Sequence, residues 1–115
     1  MTESEFFEVL QRTPRAWRVT ESGKIRSFDE SKRELRTVWE YCRCPVTAVA
    51  YAALGHVYST GKAPLAGRHL ELPGPVVETI LRAADAPSRY PETRAKLLKA
   101  CGLPLPSESR ELVAT

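Results

Sequence analysis

Residues 43–55 read RCPVTAVAYAALG, and this stretch decides the fold because it joins a helix start, an apolar helix and a helix stop without a gap. Cys44 takes the capping position, Pro45 the first helical position and Gly55 the left-handed position that ends the helix. The residues between are small or apolar, and a helix that is apolar all round belongs in a core. The sequence therefore predicts a buried central helix over 45–54, whose first N–H groups need an acceptor.

Before this helix, the sequence predicts an N-terminal helix and a β-hairpin. The helix runs from Thr2 to Thr13, with Ser4 as its cap and Pro14 as its end. Trp17–Thr20 and Lys24–Phe28 alternate apolar with polar residues around a Gly-containing turn, which is typical of a hairpin. The inner face would carry Trp17, Val19 and Ile25, and the opposite face Arg18, Lys24 and Arg26.

The segment from Asp29 to Cys42 fits two structures. Its apolar residues Leu35, Val38 and Trp39 fall at helical spacing, but residues 36–41 also alternate like a strand. We favour a helix, because Asp29 is a good cap and the charges that follow it lie at helical spacings.

After Gly55, the segment from His56 to His69 is punctuated by Gly and Pro without a sustained period, and it predicts a long loop of the kind that often binds ligands. Pro75–Ala84 and Pro91–Cys101 then predict a helical hairpin, stopped by Gly102. The predicted fold is α+β and mostly helical, with a small β-hairpin on a bundle of about four to five helices. One compact domain would cover 1–103, followed by a flexible tail over 104–115.

Charge, targeting segments and cysteine number limit the classes of function that the sequence supports. The net charge of +3 is spread along the chain, so no basic arm for nucleic acid is evident. No signal peptide or membrane span is evident, which predicts a cytoplasmic protein without membrane contact. The odd number of cysteines, Cys42, Cys44 and Cys101, predicts free thiols in a reducing compartment.

The chain resembles a group of small uncharacterised phage and prophage proteins from about Phe6 to Leu103. The resemblance is carried by Trp17-Arg18-Val19, by the pair Ile25-Arg26 and by the Cys-Pro-x-Thr-Ala helix start at Cys44. It implies a phage protein that works in the host cytoplasm, where it disables a host factor or sequesters a host signalling molecule.

Basic residues of the hairpin and the start of the central helix predict a site for an anionic ligand. Arg18, Lys24, Arg26 and Arg43 would lie near helix N–H groups that already favour an anion. The predicted loop adds an aromatic ring, hydroxyls and a further charge, a set that suits a nucleotide. The predicted ligand-binding residues are Arg18, Arg26, Arg43, Cys44, Thr47, Tyr58, Ser59, Thr60 and Lys62. The alternative is a solvated hairpin face and an ordinary connector.

Cys44 also admits an enzymatic interpretation. A helix start lowers the pKa of a thiol, and His56 or His69 would serve as base, so the chain could be a thiol-dependent enzyme. The alternative is a small buried cap residue. Cys42, Cys44, Cys101 and the two histidines also supply zinc ligands, but the spacing from Cys42 to Cys44 does not match a zinc knuckle, and we expect no metal.

The C-terminal helical pair resembles a helix-turn-helix, which would bind DNA phosphates. Its cations are Arg89, Arg94, Lys96 and Lys99. The connector 85–90 is longer than the turn of that motif. We therefore favour a small non-enzymatic binding protein without a cofactor, a counter-defence protein that captures a host protein or an anionic, nucleotide-like ligand. We expect it to self-associate, since small binders often build sites across symmetric interfaces.

Overall fold

In the computed structural model, residues 1–28, 38 and 41–105 are described. In chain order they form α1 (Glu3–Arg12), β1 (Ala16–Val19), β2 (Ile25–Phe28), α2 (Pro45–Leu54), a 3-10 turn (Thr60–Lys62), α3 (Ala63–His69), α4 (Gly74–Asp85) and α5 (Pro91–Ala100). The prediction of a mostly helical α+β fold with one small antiparallel hairpin is confirmed.

Helix α2 begins and ends where the sequence predicts. Cys44 caps it, and Gly55 adopts a φ of 68°, which glycine tolerates without strain. The residues from Pro45 to Ala50 are buried among α1, α3 and α4, but Ala52 to Leu54 are exposed. The prediction of a buried helix is thus correct for the first half and wrong for the last turn, which extends past the elements that cover the start.

Helix α1 is capped by Thr2, so the prediction of Ser4 as its cap is wrong. The Thr2 hydroxyl accepts the Glu5 N–H at 3.1 Å, and the Glu5 carboxylate accepts the Thr2 N–H at 3.1 Å. This reciprocal pair is a capping box, which requires Thr and Glu three residues apart. It places Phe6 and Leu10 in the core.

The hairpin pairs Trp17 with Ser27 and Val19 with Ile25. Trp17, Ile25 and Ser27 are buried as one face of the hairpin, but Val19 is 43 % exposed. Val19 therefore lies on the predicted face opposite Ile25, but it is not covered, because β1 ends there and the hairpin tip extends beyond the core.

Two contacts fix the hairpin to the connector between α4 and α5. A Cβ atom on Gly23, where φ is 87°, would lie 2.3 Å from Pro87 Cγ, so only glycine permits this approach. The Arg26 guanidinium also donates to the Asp85 carboxylate at 2.7 Å. The hairpin is therefore held by residues that are distant in the chain. Pro87 is more than sixty positions from Gly23, and Asp85 is 59 positions from Arg26.

The predicted long loop from His56 to His69 is wrong over its second half, which forms the 3-10 turn and α3. Pro64 stands in the first turn of α3, where its missing N–H costs nothing. Gly67 lies inside α3 because α4 approaches closely: a Cβ on Gly67 would lie 2.6 Å from both Val77 γ-carbons. The glycine that suggested a loop is thus a packing residue within a helix.

Helices α4 and α5 match the predicted helical hairpin to within one residue at each end. Gly102 terminates the second helix with a φ of 71°. Arg94 is buried at the end of α4, where its Nη1 atom donates to the carbonyl oxygens of Ala83 at 2.9 Å and Ala84 at 3.2 Å. Arg94 therefore satisfies carbonyl groups that a helix end leaves without partners.

Other predictions fall on the remaining segments. The choice between helix and strand for 29–42 lies mostly outside the described residues, although Val38 and Tyr41 are helical and the Cys42 N–H donates to Val38 O at 2.9 Å. Leu105, placed in the predicted tail, packs against the core, and 106–115 also lie outside the described residues. Over the described ranges, no helix has the length and apolar character to cross a bilayer.

Candidate functional site

The predicted anion site at the start of α2 is closed by its own side chains. Thr47 N–H donates to the Cys44 sulfur at 3.4 Å, and the Thr47 hydroxyl donates to the Cys44 carbonyl oxygen at 3.1 Å. Cys44 is 2 % exposed and Thr47 is fully buried. These two predicted ligand-binding residues therefore pair with each other beneath the surface.

Burial also decides the chemistry of the Cys44 thiol. Desolvation raises the pKa of Cys44, and the hydrogen bonds from Thr47 and the charge of Arg26 oppose that effect only in part. The lowered thiol pKa of the enzymatic interpretation is wrong in direction, and Cys44 is instead the small buried cap residue of the alternative interpretation.

The two histidines pack against Tyr58 rather than serving Cys44. The Tyr58 hydroxyl and His69 Nδ1 form a hydrogen bond of 2.5 Å, and the His56 ring lies 4.6 Å from the Tyr58 ring. Tyr58 itself is buried, so its ring offers no stacking surface to a base. Cys42, Cys44 and Cys101 form no disulfide, as predicted, and among the described residues no three His, Cys, Asp or Glu side chains come together to hold a metal ion.

The predicted cations of the hairpin are largely engaged within the protein. Arg18 and Arg26 lie opposite each other in the strand register. Arg26 binds Asp85, and Arg18 stacks 5.3 Å from the centre of the Phe28 ring. Arg43 is half-buried, and its backbone carbonyl accepts the Ser27 N–H at 2.9 Å.

The remaining predicted residues, Ser59, Thr60 and Lys62, lie at the 3-10 turn before α3. Ser59 precedes the 3-10 turn and accepts the Lys62 N–H through its backbone oxygen. The Thr60 hydroxyl donates to the Tyr41 carbonyl oxygen at 3.3 Å. Of the predicted ligand-binding residues, Lys62 alone lines the groove described below.

That groove lies between α3 and α4 and has a volume of about 780 Å³. We call it the α3–α4 groove. It is open to solvent on one side and mostly apolar. Its floor consists of Pro64, Leu65, Val77 and Leu81, and its rim carries Lys62, Arg68, Glu78 and Arg82.

The charges on the rim are not balanced. Arg82 Nη2 lies 2.7 Å from Glu78 Oε1, so these two charges form an ion pair along α4. Lys62 and Arg68 are exposed, and within the described residues neither forms an ion pair. The α3 side of the groove therefore carries two positive charges that no carboxylate of the described residues balances, beside an apolar floor.

Sequence reasoning missed Leu65, Arg68, Glu78 and Arg82 as candidate site residues. It treated Leu65 and Arg68 as loop residues, because the Gly and Pro pattern hid α3. A usable signal was present, since Pro64 at a helix start and Arg68-His69 at its end follow the helix-terminus rules.

Two of the cations that the helix-turn-helix prediction assigned to DNA phosphates contact other parts of the protein instead. Arg94 of α5 is buried against the end of α4, and burial lowers its pKa. Lys96 Nζ lies 3.3 Å from Glu3 Oε1 of α1. Two of the four predicted phosphate contacts are thus used within the fold.

Comparisons with protein-family models, with curated proteins and with solved structures gave no match to this chain. The resemblance to small phage proteins consequently stays a prediction, and the functional argument rests on the α3–α4 groove.

Proposed function

We propose that this protein is a small non-enzymatic binding protein that blocks a partner protein by holding a segment of it in the α3–α4 groove. The observation that carries the proposal is an open apolar floor beside Lys62 and Arg68, two cations that form no ion pair within the described residues. Apolar concave surfaces rimmed by polar groups are characteristic of interaction sites.

A protein segment fits these features better than the nucleotide that the sequence suggested. The nucleotide site depended on Cys44, Thr47 and Tyr58, all of which are buried, and on Arg26, which is paired with Asp85. No described lining residue of the groove is aromatic, so a base would find no stacking partner there. Blocking a host protein is also one of the two roles that the phage resemblance implies.

Retention of a partner by matched variants tests the proposal. We would immobilise the wild type, Leu81→Arg and Leu54→Arg, expose each to a bacterial lysate and identify the retained proteins by mass spectrometry. Leu81 lies on the groove floor, whereas Leu54 is 47 % exposed at the end of α2 and outside the groove. Circular dichroism would establish that both variants fold.

We expect one protein to be retained by the wild type and Leu54→Arg and lost from Leu81→Arg. Equal retention by all three would contradict the proposal. Native mass spectrometry of the purified wild type gives a second readout, because an extra mass of nucleotide size that is lost on denaturation would favour small-molecule sequestration instead.

A further inference from the structure

From the shape and charge of the α3–α4 groove, we propose that the segment it holds is an amphipathic α-helix with acidic residues along one flank. This inference rests on the proposed function and adds the chemistry of the partner.

The floor of the groove has helical spacing. Val77 and Leu81 are one turn apart on α4, and Leu65 of α3 faces the same groove. A bound helix presents apolar side chains at the same spacing, so its row of anchors can follow the row on α4. The two walls are helices whose interior N–H and C=O groups bond within each helix, so the groove gives an extended peptide no strand edge to extend.

The charges select the flank of the bound helix. On the α4 side, Arg82 is neutralised by Glu78 at 2.7 Å. On the α3 side, Lys62 and Arg68 have no acidic partner within the described residues. Carboxylates on the flank that faces α3 would complement both cations, and the same positive field would favour encounter with an acidic helix over a basic one.

Designed peptides test this chemistry. The first probe is a fluorescein-labelled, Ala-based helix of roughly four turns with Leu at i, i+4, i+7 and i+11 and Glu along one flank. The second carries Lys in place of every Glu, and the third is the Glu peptide with a central Pro that breaks the helix. Binding to the full chain is measured by fluorescence anisotropy at low and high salt.

We expect the Glu peptide to bind at least about tenfold more tightly than the Lys peptide, because two favourable rim pairs become repulsive. This preference should shrink at high salt. Arg68→Glu should abolish the preference, because it leaves one negative charge beside the positive Lys62, whereas Arg89→Glu, on the exposed connector outside the groove, should leave it unchanged. The Pro peptide should bind at least about tenfold more weakly than the intact helix.

Several outcomes would overturn the inference. If both charged peptides bind equally and Leu81→Arg abolishes both, the groove still binds protein segments but does not select acidic ones. Equal binding of the Pro peptide would exclude a helical ligand. Binding that survives Leu81→Arg would place the peptide elsewhere. A wild-type dimer that Leu81→Arg dissociates in analytical ultracentrifugation would identify a second copy as the occupant.

Discussion

The start of α2 and the α3–α4 groove both place polar groups beside apolar side chains, but they differ in where those groups find partners. At the start of α2, Cys44 and Thr47 bond to each other and are buried. In the groove, Lys62 and Arg68 are exposed without acidic partners in the described part of the chain. The difference teaches that a well-formed helix start indicates a ligand site only if its donors remain open. Internal groups should therefore affect stability, and groove groups should affect binding.

The largest effect is expected for Arg94, the most buried charged residue in the described part of the chain. Arg94→Met keeps the apolar stem but leaves the Ala83 and Ala84 carbonyl oxygens without their donor. We expect the free energy of unfolding to fall by about 2–4 kcal/mol, because a buried charged hydrogen bond is lost. Urea denaturation would measure this loss. The control, Lys99→Met on the exposed side of α5, should change stability by less than about 0.5 kcal/mol.

For Gly67→Ala we expect the free energy of unfolding to fall by about 1–3 kcal/mol. Gly67 lies where the α3–α4 groove meets the core. The new methyl group would overlap the branched Val77 side chain, and overpacking of this kind is destabilising. Gly61→Ala is the matched control, since a Cβ there meets no atom within 4 Å. Thermal unfolding of both variants would separate them. Equal melting temperatures would show that Val77 moves aside without cost.

Alkaline pH should destabilise the folded protein through two thiols, those of the buried Cys44 and the half-buried Cys101. Burial raises the pKa of Cys44 and raises that of Cys101 to about 12. An unfolded thiol ionises near a pKa of about 8.5, so this stabilisation is complete below that pH and is lost as the pH rises toward the folded pKa. The slope is at most about 1.4 kcal/mol per pH unit for each thiol.

Urea unfolding in reductant at about pH 8 and about pH 10 would measure this loss. Cys101→Ala should show a smaller decrease between the two pH values than the wild type does. Identical decreases would refute the contribution of Cys101.

The smallest effect is expected for the ion pair of Arg26 and Asp85, a predicted ligand contact that proves to be internal. The Asp85 side chain is 48 % exposed, so solvent screens the pair. A double-mutant cycle with Arg26→Gln and Asp85→Asn should give a coupling of about 0.2–1 kcal/mol. Neither change should alter binding of the Glu peptide, and an altered affinity would return Arg26 to the binding site.

The fold was largely predictable because its signals are local. The Pro and Gly residues that bracket α2, α4 and α5 act through their own backbone geometry, which one sequence displays. Predictions from short-range patterns were wrong where a contact with a residue distant in the chain determines the local structure. Gly67 favours a loop in the sequence, but in the structure it lies within a helix against which Val77 packs. Val19 fits the alternation of a half-buried strand, but no part of the core covers it.

The candidate site was much less predictable for the same reason. Chemical type drew attention to Cys44, Thr47 and Arg26, but whether a donor or charge is free depends on partners distant in the chain, such as Asp85. The groove, in contrast, requires two helices to come together. Of its rim, only Lys62 was predicted.

The contacts that fix the hairpin to the α4–α5 connector also bear on how the molecule unfolds. A two-stranded hairpin is marginal by itself in water, so β1 and β2 depend on the core that covers Trp17 and Ile25 and on the contacts with Pro87 and Asp85. Opening of the C-terminal helical pair should release the hairpin as well. Amide hydrogen exchange of Arg18 and Arg26 would then report the opening of helices some sixty residues away, which makes the hairpin and the helical pair one cooperative unit.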